Sequence, residues 1–311
     1  MLQDVVVTAL FGGLIGLLIG SFLNVVIYRL PMMMERESLA MAGATLAPAP
    51  EGMPSTWRLV MGDRPAPKLM ETVGQATYDA VAALPRFNLL LPASRCGGCG
   101  HRIRWYENLP VLSYLLLRGR CSACHTHISL RYPLVELVTA LLFAWCAWRW
   151  GLTGTGAAWA GFAAALVALT LIDWDTTLLP DAITLPLVWA GLLAALTGLT
   201  ALPVGDAVWG AVAGYLSLWL VYWAFKLATG KEGMGYGDFK LFAALGAWFG
   251  WQALVPIILM ASVIGALVGI GMKLTQSLRA GGVIPFGPFL AMAGLTAMVF
   301  GPQAILRAVG L

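Results

Sequence analysis

The stretch Gly233-Met234-Gly235-Tyr236-Gly237-Asp238-Phe239-Lys240 sets an aspartate between a glycine-rich segment and a long apolar run, 241–272. Three glycines in five residues predict a loop, with Gly235 and Gly237 freeing Asp238 from helical geometry and letting the backbone approach a substrate. A carboxylate at such a boundary is costly to bury unless it is paired or solvated. Candidate partners lie in LTLIDWDTTLLPDAITLP at 169–186, where another apolar run ends with Asp173, Asp175 and Asp181. Two carboxylates brought to one depth from different helices share a proton, because like charges that close cannot both ionise. The ionised one draws a proton from water while the protonated one polarises a peptide carbonyl, with no metal or nucleophilic side chain required. The plainer reading of boundary carboxylates is a solvated helix end or a cap. Asp181, directly after Pro180, reads as a helix-start cap, and Asp175 reads as solvated.

A second chemistry comes from four cysteines. Cys96 and Cys99 are separated by two residues, as are Cys121 and Cys124, and 21 residues lie between the pairs. Each pair aims two thiolates at one point, and two such turns close a tetrahedral four-sulfur site for zinc. Four protein ligands leave no open position, so the site is expected to be structural. Disulfides or a redox pair are the alternatives. A cytoplasmic loop disfavours the first, and no thioredoxin-like context accompanies either pair. His101, His125 and His127 are spare, and one of them could replace a thiolate. Cys146, inside an apolar run, reads as a small buried residue.

The elements that carry these groups are set by composition. The chain is 59% hydrophobic and 11% charged, with mean hydropathy +0.81, against about 25% charged in soluble domains. This predicts an all-α polytopic membrane protein. Uncharged runs lie at 5–28, 137–148, 151–172, 182–205, 207–225, 241–272 and 281–306. A span takes roughly 20 apolar residues. The second run must therefore extend back through Glu136 and Tyr132, and the sixth must break near Gly250-Trp251-Gln252. The count becomes eight spans, with seven as the alternative. The first run is too long and lacks the basic leader of a cleaved signal peptide.

Twelve of the nineteen basic residues fall between Arg29 and Arg131, and Lys226, Lys231, Lys240, Lys273 and Arg279 follow in later loops. Eight spans with an external N-terminus put all of these on one side, leaving Arg149 and Arg307 opposite. Basic loops stay cytoplasmic, so both termini are expected to be periplasmic. The predicted organisation is a first transmembrane helix at 1–28, a cytoplasmic loop at 29–131 with the four-cysteine domain at 89–131, and a transmembrane core at 132–311. Within the loop, 32–88 is rich in Met, Ala and Pro and reads as a variable linker.

The order of these motifs resembles the bacterial type IV prepilin peptidases, a family of bifunctional leader peptidases and N-methyltransferases. GSFLNVVIYRLP at 20–31 is similar to the end of their first span, and 94–137 to their cytoplasmic cysteine domain. IDWDTTLLPD at 172–181 is similar to their first aspartate motif, Gly235-Tyr236-Gly237-Asp238 to their G-x-G-D signature, and PFGPFLAMAG at 285–294 to their last span. The resemblance covers nearly the whole chain apart from 32–88, and Gly97 stands where many members have proline. It implies that Asp173, seven residues before Pro180, and Asp238 are the catalytic pair. It further implies cleavage of basic leaders from prepilins and pseudopilins of pilus and type II secretion systems. Cleavage follows a glycine at the cytoplasmic face of the inner membrane, and the new N-terminal amine is then methylated from S-adenosylmethionine. No glycine pattern marks the methyl-donor site, so no residue is assigned to it. Leader recognition would fall to local carboxylates such as Asp175, Asp181 or Glu232. Membrane lipid is an expected partner and nucleic acid is not. Two alternatives stand: a peptidase without methylation, and an ion-coupled transporter in which the aspartates bind cations.

Overall fold

The structure is a computed structural model and describes residues 2–49, 53–276 and 284–308. Its elements are helices α1 (Leu2–Leu46), α2 (Thr56–Met61), α3 (Lys68–Ala82), α4 (Leu112–Leu116), α5 (Arg131–Trp150), α6 (Gly154–Thr176), α7 (Asp181–Leu196), α8 (Val204–Thr229), α9 (Tyr236–Phe249), α10 (Leu254–Leu274), α11 (Gly287–Phe300) and α12 (Pro302–Ala308). Among the described residues the only β-pairings are two isolated bridges. Contacts divide the chain into one unit of Met1–Ile27 with Arg104–Leu311 and another of Tyr28–Ile103.

In the first unit, α9 is the central element, packed on α7, α8 and α11. Ten of its fourteen residues are buried, including Phe239, Leu241 and Leu245. A helix apolar on all sides belongs in a core rather than at an interface. Glycines allow that density: a side chain at Gly214 would fall 2.6 Å from the carbonyl oxygen of Phe242, so α8 and α9 touch backbone to backbone. Trp248 Nε1 donates to the Leu187 carbonyl at 2.9 Å and ties α9 to α7. Trp159 and Phe162 of α6 close around Trp248 and Phe249 in an aromatic cluster.

Several expected boundaries are met. The second apolar run starts at Arg131 and includes Glu136. The sixth breaks at Gly250, whose φ of 82° ends α9, and a 3-10 turn at Trp251–Ala253 leads into α10. Four segments are long and apolar enough to cross a membrane by length and composition: Gln3–Leu46, Gly154–Thr176, Val204–Thr229 and Trp251–Leu274. The helices Asp181–Leu196 and Gly287–Phe300 are shorter apolar ones. The last run differs from a single span, because Gly301, at φ 83°, separates α11 from α12. Its first residues, 281–283, and Arg279 lie outside the described residues.

The second unit differs from the linker expected at 32–88. Helix α1 runs through Pro31 to Leu46, and α2 and α3 follow. Met, Glu, Arg, Ala and Leu are good helix formers, and extending an existing helix avoids the cost of nucleation. Helix α3 seats on the extension, where a side chain at Gly43 would lie 2.8 Å from the Tyr78 amide nitrogen. Buried Arg29 donates to the carbonyls of Asn88 at 2.9 Å and Pro92 at 2.6 Å, and Arg36 stacks over Phe87 at 4.4 Å.

Candidate active site and metal centre

Asp173 lies near the end of α6 and is 4% exposed. The helix stops at Thr177, which adopts the left-handed conformation (φ 56°, ψ 28°) and donates its amide to the Asp173 carbonyl at 2.8 Å. Residues two apart on a helix point about 200° apart. Asp173 therefore turns into the core while Asp175 turns outward, where Arg131 Nη1 and Nη2 donate to its two oxygens at 2.9 and 2.6 Å. Asp175, read from sequence as solvated, is thus half of a bidentate ion pair joining the start of α5 to the end of α6.

Asp238 is 7% exposed and occupies the first turn of α9. The expected release of Asp238 from helical geometry is not met. The loop ends at Gly235, the N-cap, and both Gly237 and Asp238 are helical. The need for glycine at 237 is close packing instead: a side chain there would fall 2.6 Å from Leu179 Cβ. The Gly235 backbone hydrogen-bonds the Asp238 carboxylate. The Asp173 charge acts on Asp238, so the structure brings the two sequence-predicted aspartates together. Asp238 Oδ1 is buried and finds no hydrogen-bond partner among the described residues. A buried carboxylate oxygen left in that state is costly, and it is the kind of group a water would satisfy by donating to it, or, once the carboxyl is protonated, a peptide carbonyl by accepting from it.

Three ion pairs surround this pair of carboxylates. Asp181 opens α7 without a side-chain capping bond and instead takes Lys240 Nζ on both oxygens, at 2.6 and 2.7 Å. The cap expected of it is replaced by a bridge between α7 and the first turns of α9. Glu232 accepts from Lys226 Nζ at 2.8 Å, and that ammonium holds its carboxyl below the usual carboxylate range. Arg131 and Lys240 were not legible as partners, because each sits on a helix far away in sequence from its aspartate, whereas Lys226 lies six residues from Glu232.

Cys96, Cys99, Cys121 and Cys124 have their Sγ atoms within 4.8 Å of one another. Two matching knuckles aim them. The Cys96 amide donates to the His101 carbonyl and the Gly100 amide to the Cys96 carbonyl, both at 2.9 Å. The Cys121 amide donates to Thr126 and the His125 amide to Cys121, both at 3.0 Å. Gly98 N–H also points at Cys96 Sγ, at 3.4 Å. Sulfurs around one zinc stand about 3.8 Å apart for bonds of about 2.3 Å, so this donor set fits a tetrahedral ion with little contraction. No histidine belongs to the cluster. Cys146 is buried in α5, as expected.

Two family matches divide the sequence along the same lines. Residues 14–150 match the Bacterial Peptidase A24 N-terminal domain, and residues 159–270 match the Type IV leader peptidase family. A prepilin leader peptidase/N-methyltransferase of Pseudomonas putida is 51% identical over 289 residues, covering 93% of this chain and 89% of the relative. Those of Pseudomonas aeruginosa and Aeromonas hydrophila are 50% and 49% identical, with the same coverage. The chain belongs to the prepilin leader peptidase/N-methyltransferase family. No solved structure matches it. The peptidase-family match contains both buried aspartates, and the N-terminal match contains all four cluster cysteines.

Proposed function

We propose that this chain removes the leader peptide of type IV prepilins or pseudopilins and then methylates the newly exposed N-terminal amine. Asp173 and Asp238 are the hydrolytic pair. The observation that carries this reading is the pairing of two buried carboxylates, one of which keeps an unsatisfied oxygen. One carboxylate takes a proton from water as the oxygen attacks the scissile carbonyl, while the other, protonated, donates to the developing oxyanion; as the C–N bond breaks, the first passes its new proton to the leaving amine and the second takes one back from the gem-diol hydroxyl.

The protein is an inner-membrane, multi-pass enzyme. In the proposed orientation both termini are periplasmic and the cysteine domain is cytoplasmic, on the side carrying most of the basic residues. The cysteine cluster holds zinc as a structural ion: four thiolates suit it and leave no position for substrate. S-adenosylmethionine supplies the methyl group when bound, and no residue of this chain is assigned to hold it.

The decisive experiment is incubation of the purified protein with a prepilin, with and without S-adenosylmethionine, read by intact mass. Loss of the leader in both reactions, with one added methyl only when the donor is present, is the expected result. Cleavage with no methyl gain would leave a peptidase alone. An intact prepilin in both would overturn the reading.

A further inference from the structure

Between α6 and α7 the chain is non-helical from Leu178 to Pro180, and Leu179 in this connection sits against two glycines at once. A Cβ at Gly237 would fall 2.6 Å from Leu179 Cβ and 3.3 Å from its Cδ1. A Cβ at Gly287, the first residue of α11, would fall 2.9 Å from Leu179 Cδ1 and 2.5 Å from Asp173 Oδ2. Separations under 3.0 Å are not tolerated by a real side chain, so something must move. At Gly287 one of the two groups that must move is a carboxylate of the proposed pair. Gly237 immediately precedes the other aspartate. One leucine therefore bears on the backbone that carries Asp238 and on the glycine that touches Asp173.

We propose that Leu179 is a spacer that sets the separation of the two aspartates, with Gly237 and Gly287 as its seats. It is a positioning residue and makes no contact with the scissile bond. The inference rests on the two-aspartate reading above. Its physical basis is that proton sharing between carboxylates depends on their separation through the Coulomb interaction. A close pair holds one proton over a wide span of pH, whereas a loosened pair titrates more nearly as two independent acids and holds one proton over a narrower span. The neighbouring charges do not compete for this role. Asp175 is paired with Arg131, Asp181 with Lys240 and Glu232 with Lys226, and the first turn of α11 carries no charge.

The test compares Leu179→Ala, Gly287→Ala and the double variant with wild type, using full-length protein in detergent and a prepilin substrate. Asp173→Asn is the control, and methylation of a pre-cleaved pilin is measured in every preparation. Gly287→Ala is expected to lower kcat for cleavage at least about tenfold with little change in KM, since small misplacements of reacting groups have large effects. Leu179→Ala is expected to narrow the pH–rate profile from both sides. In the double variant the vacated leucine volume lets Asp173 settle, so it should cleave faster than Gly287→Ala alone, a coupling that independent sites do not show. Methylation should persist in all of them. An unchanged pH profile in Leu179→Ala, a wild-type rate in Gly287→Ala, or parallel loss of methylation and cleavage would each overturn the spacer. An active Asp173→Asn would overturn the two-aspartate reading and the spacer with it. An inactive Asp173→Asn beside a normal Gly287→Ala would overturn the spacer alone. If Gly287→Ala does not fold, the pH profile of Leu179→Ala decides.

Discussion

Lys240 Nζ grips both carboxylate oxygens of Asp181, at 2.6 and 2.7 Å, and so joins the start of α7 to the helix turn that carries Asp238. The lysine is 24% exposed and the aspartate 55%. An ion pair that open to solvent contributes about 0–1 kcal/mol. Asp181→Asn keeps an acceptor oxygen for Lys240, so leader cleavage should stay within about tenfold of wild type, the factor that 1.4 kcal/mol represents. Loss of cleavage as complete as that in Asp173→Asn, in an assay run side by side, would place Asp181 in the chemistry.

Asp173→Asn and Asp238→Asn should each reduce cleavage by roughly 100-fold or more, the range that general acid–base groups contribute, while the protein still accumulates in the membrane. Asp175→Asn should remain active, because its side chain turns away from Asp238 toward Arg131. Quantifying processed pilin from a panel of the three variants checks all of this. A dead Asp175→Asn with an active Asp173→Asn would reverse the assignment within the Ile172-Asp173-Trp174-Asp175 segment.

The cysteine cluster should carry about one zinc per chain, as four thiolates in a closed tetrahedral site require. Elemental analysis of protein purified without chelator measures it. Cys96→Ser or Cys121→Ser should release the ion and make the 89–130 region more susceptible to protease, since a structural metal contributes directly to folding. Free thiols with no bound metal would exclude the site.

The helices and the site differ in how far they could be read from residues. Apolar runs gave the helices of the first unit, and the break at Gly250 followed from a run too long for one span. The four cysteines were legible because their spacing alone makes the knuckles. What escaped depends on three-dimensional neighbours. Helix α1 runs on past Tyr28 because polar helix formers continue a helix already nucleated, which hydropathy does not register. Gly237 looked like a loop residue, yet it is helical and is required by Leu179, a contact across 58 residues of sequence. The pairing of Asp175 with Arg131 is equally remote. From the residues Asp175 read as solvated and the family resemblance singled out Asp173; once the helix is in place their opposite faces explain the difference.

The last prediction separates the two reactions. Methyl transfer to an amine needs a neutral nitrogen lone pair aligned with a sulfonium methyl, and no step of it uses a proton shared between two carboxylates. Asp238 lies in the first turn of α9, and its unsatisfied oxygen can accept from a water or, when protonated, donate to a peptide carbonyl. Asp238→Asn preserves the shape of the side chain while removing its charge and its proton. This variant should therefore fail to cleave a prepilin and still methylate a pre-cleaved pilin presented with its new N-terminal amine exposed. The measurement is incorporation of labelled methyl into mature pilin in detergent, alongside a folding check on the variant. Retained labelling would mean that the aspartate pair serves hydrolysis only and that the donor is held elsewhere in the chain. Complete loss of labelling in a well-folded Asp238→Asn protein would mean that one site serves both reactions, with the carboxylate accepting the proton of the new terminal amine.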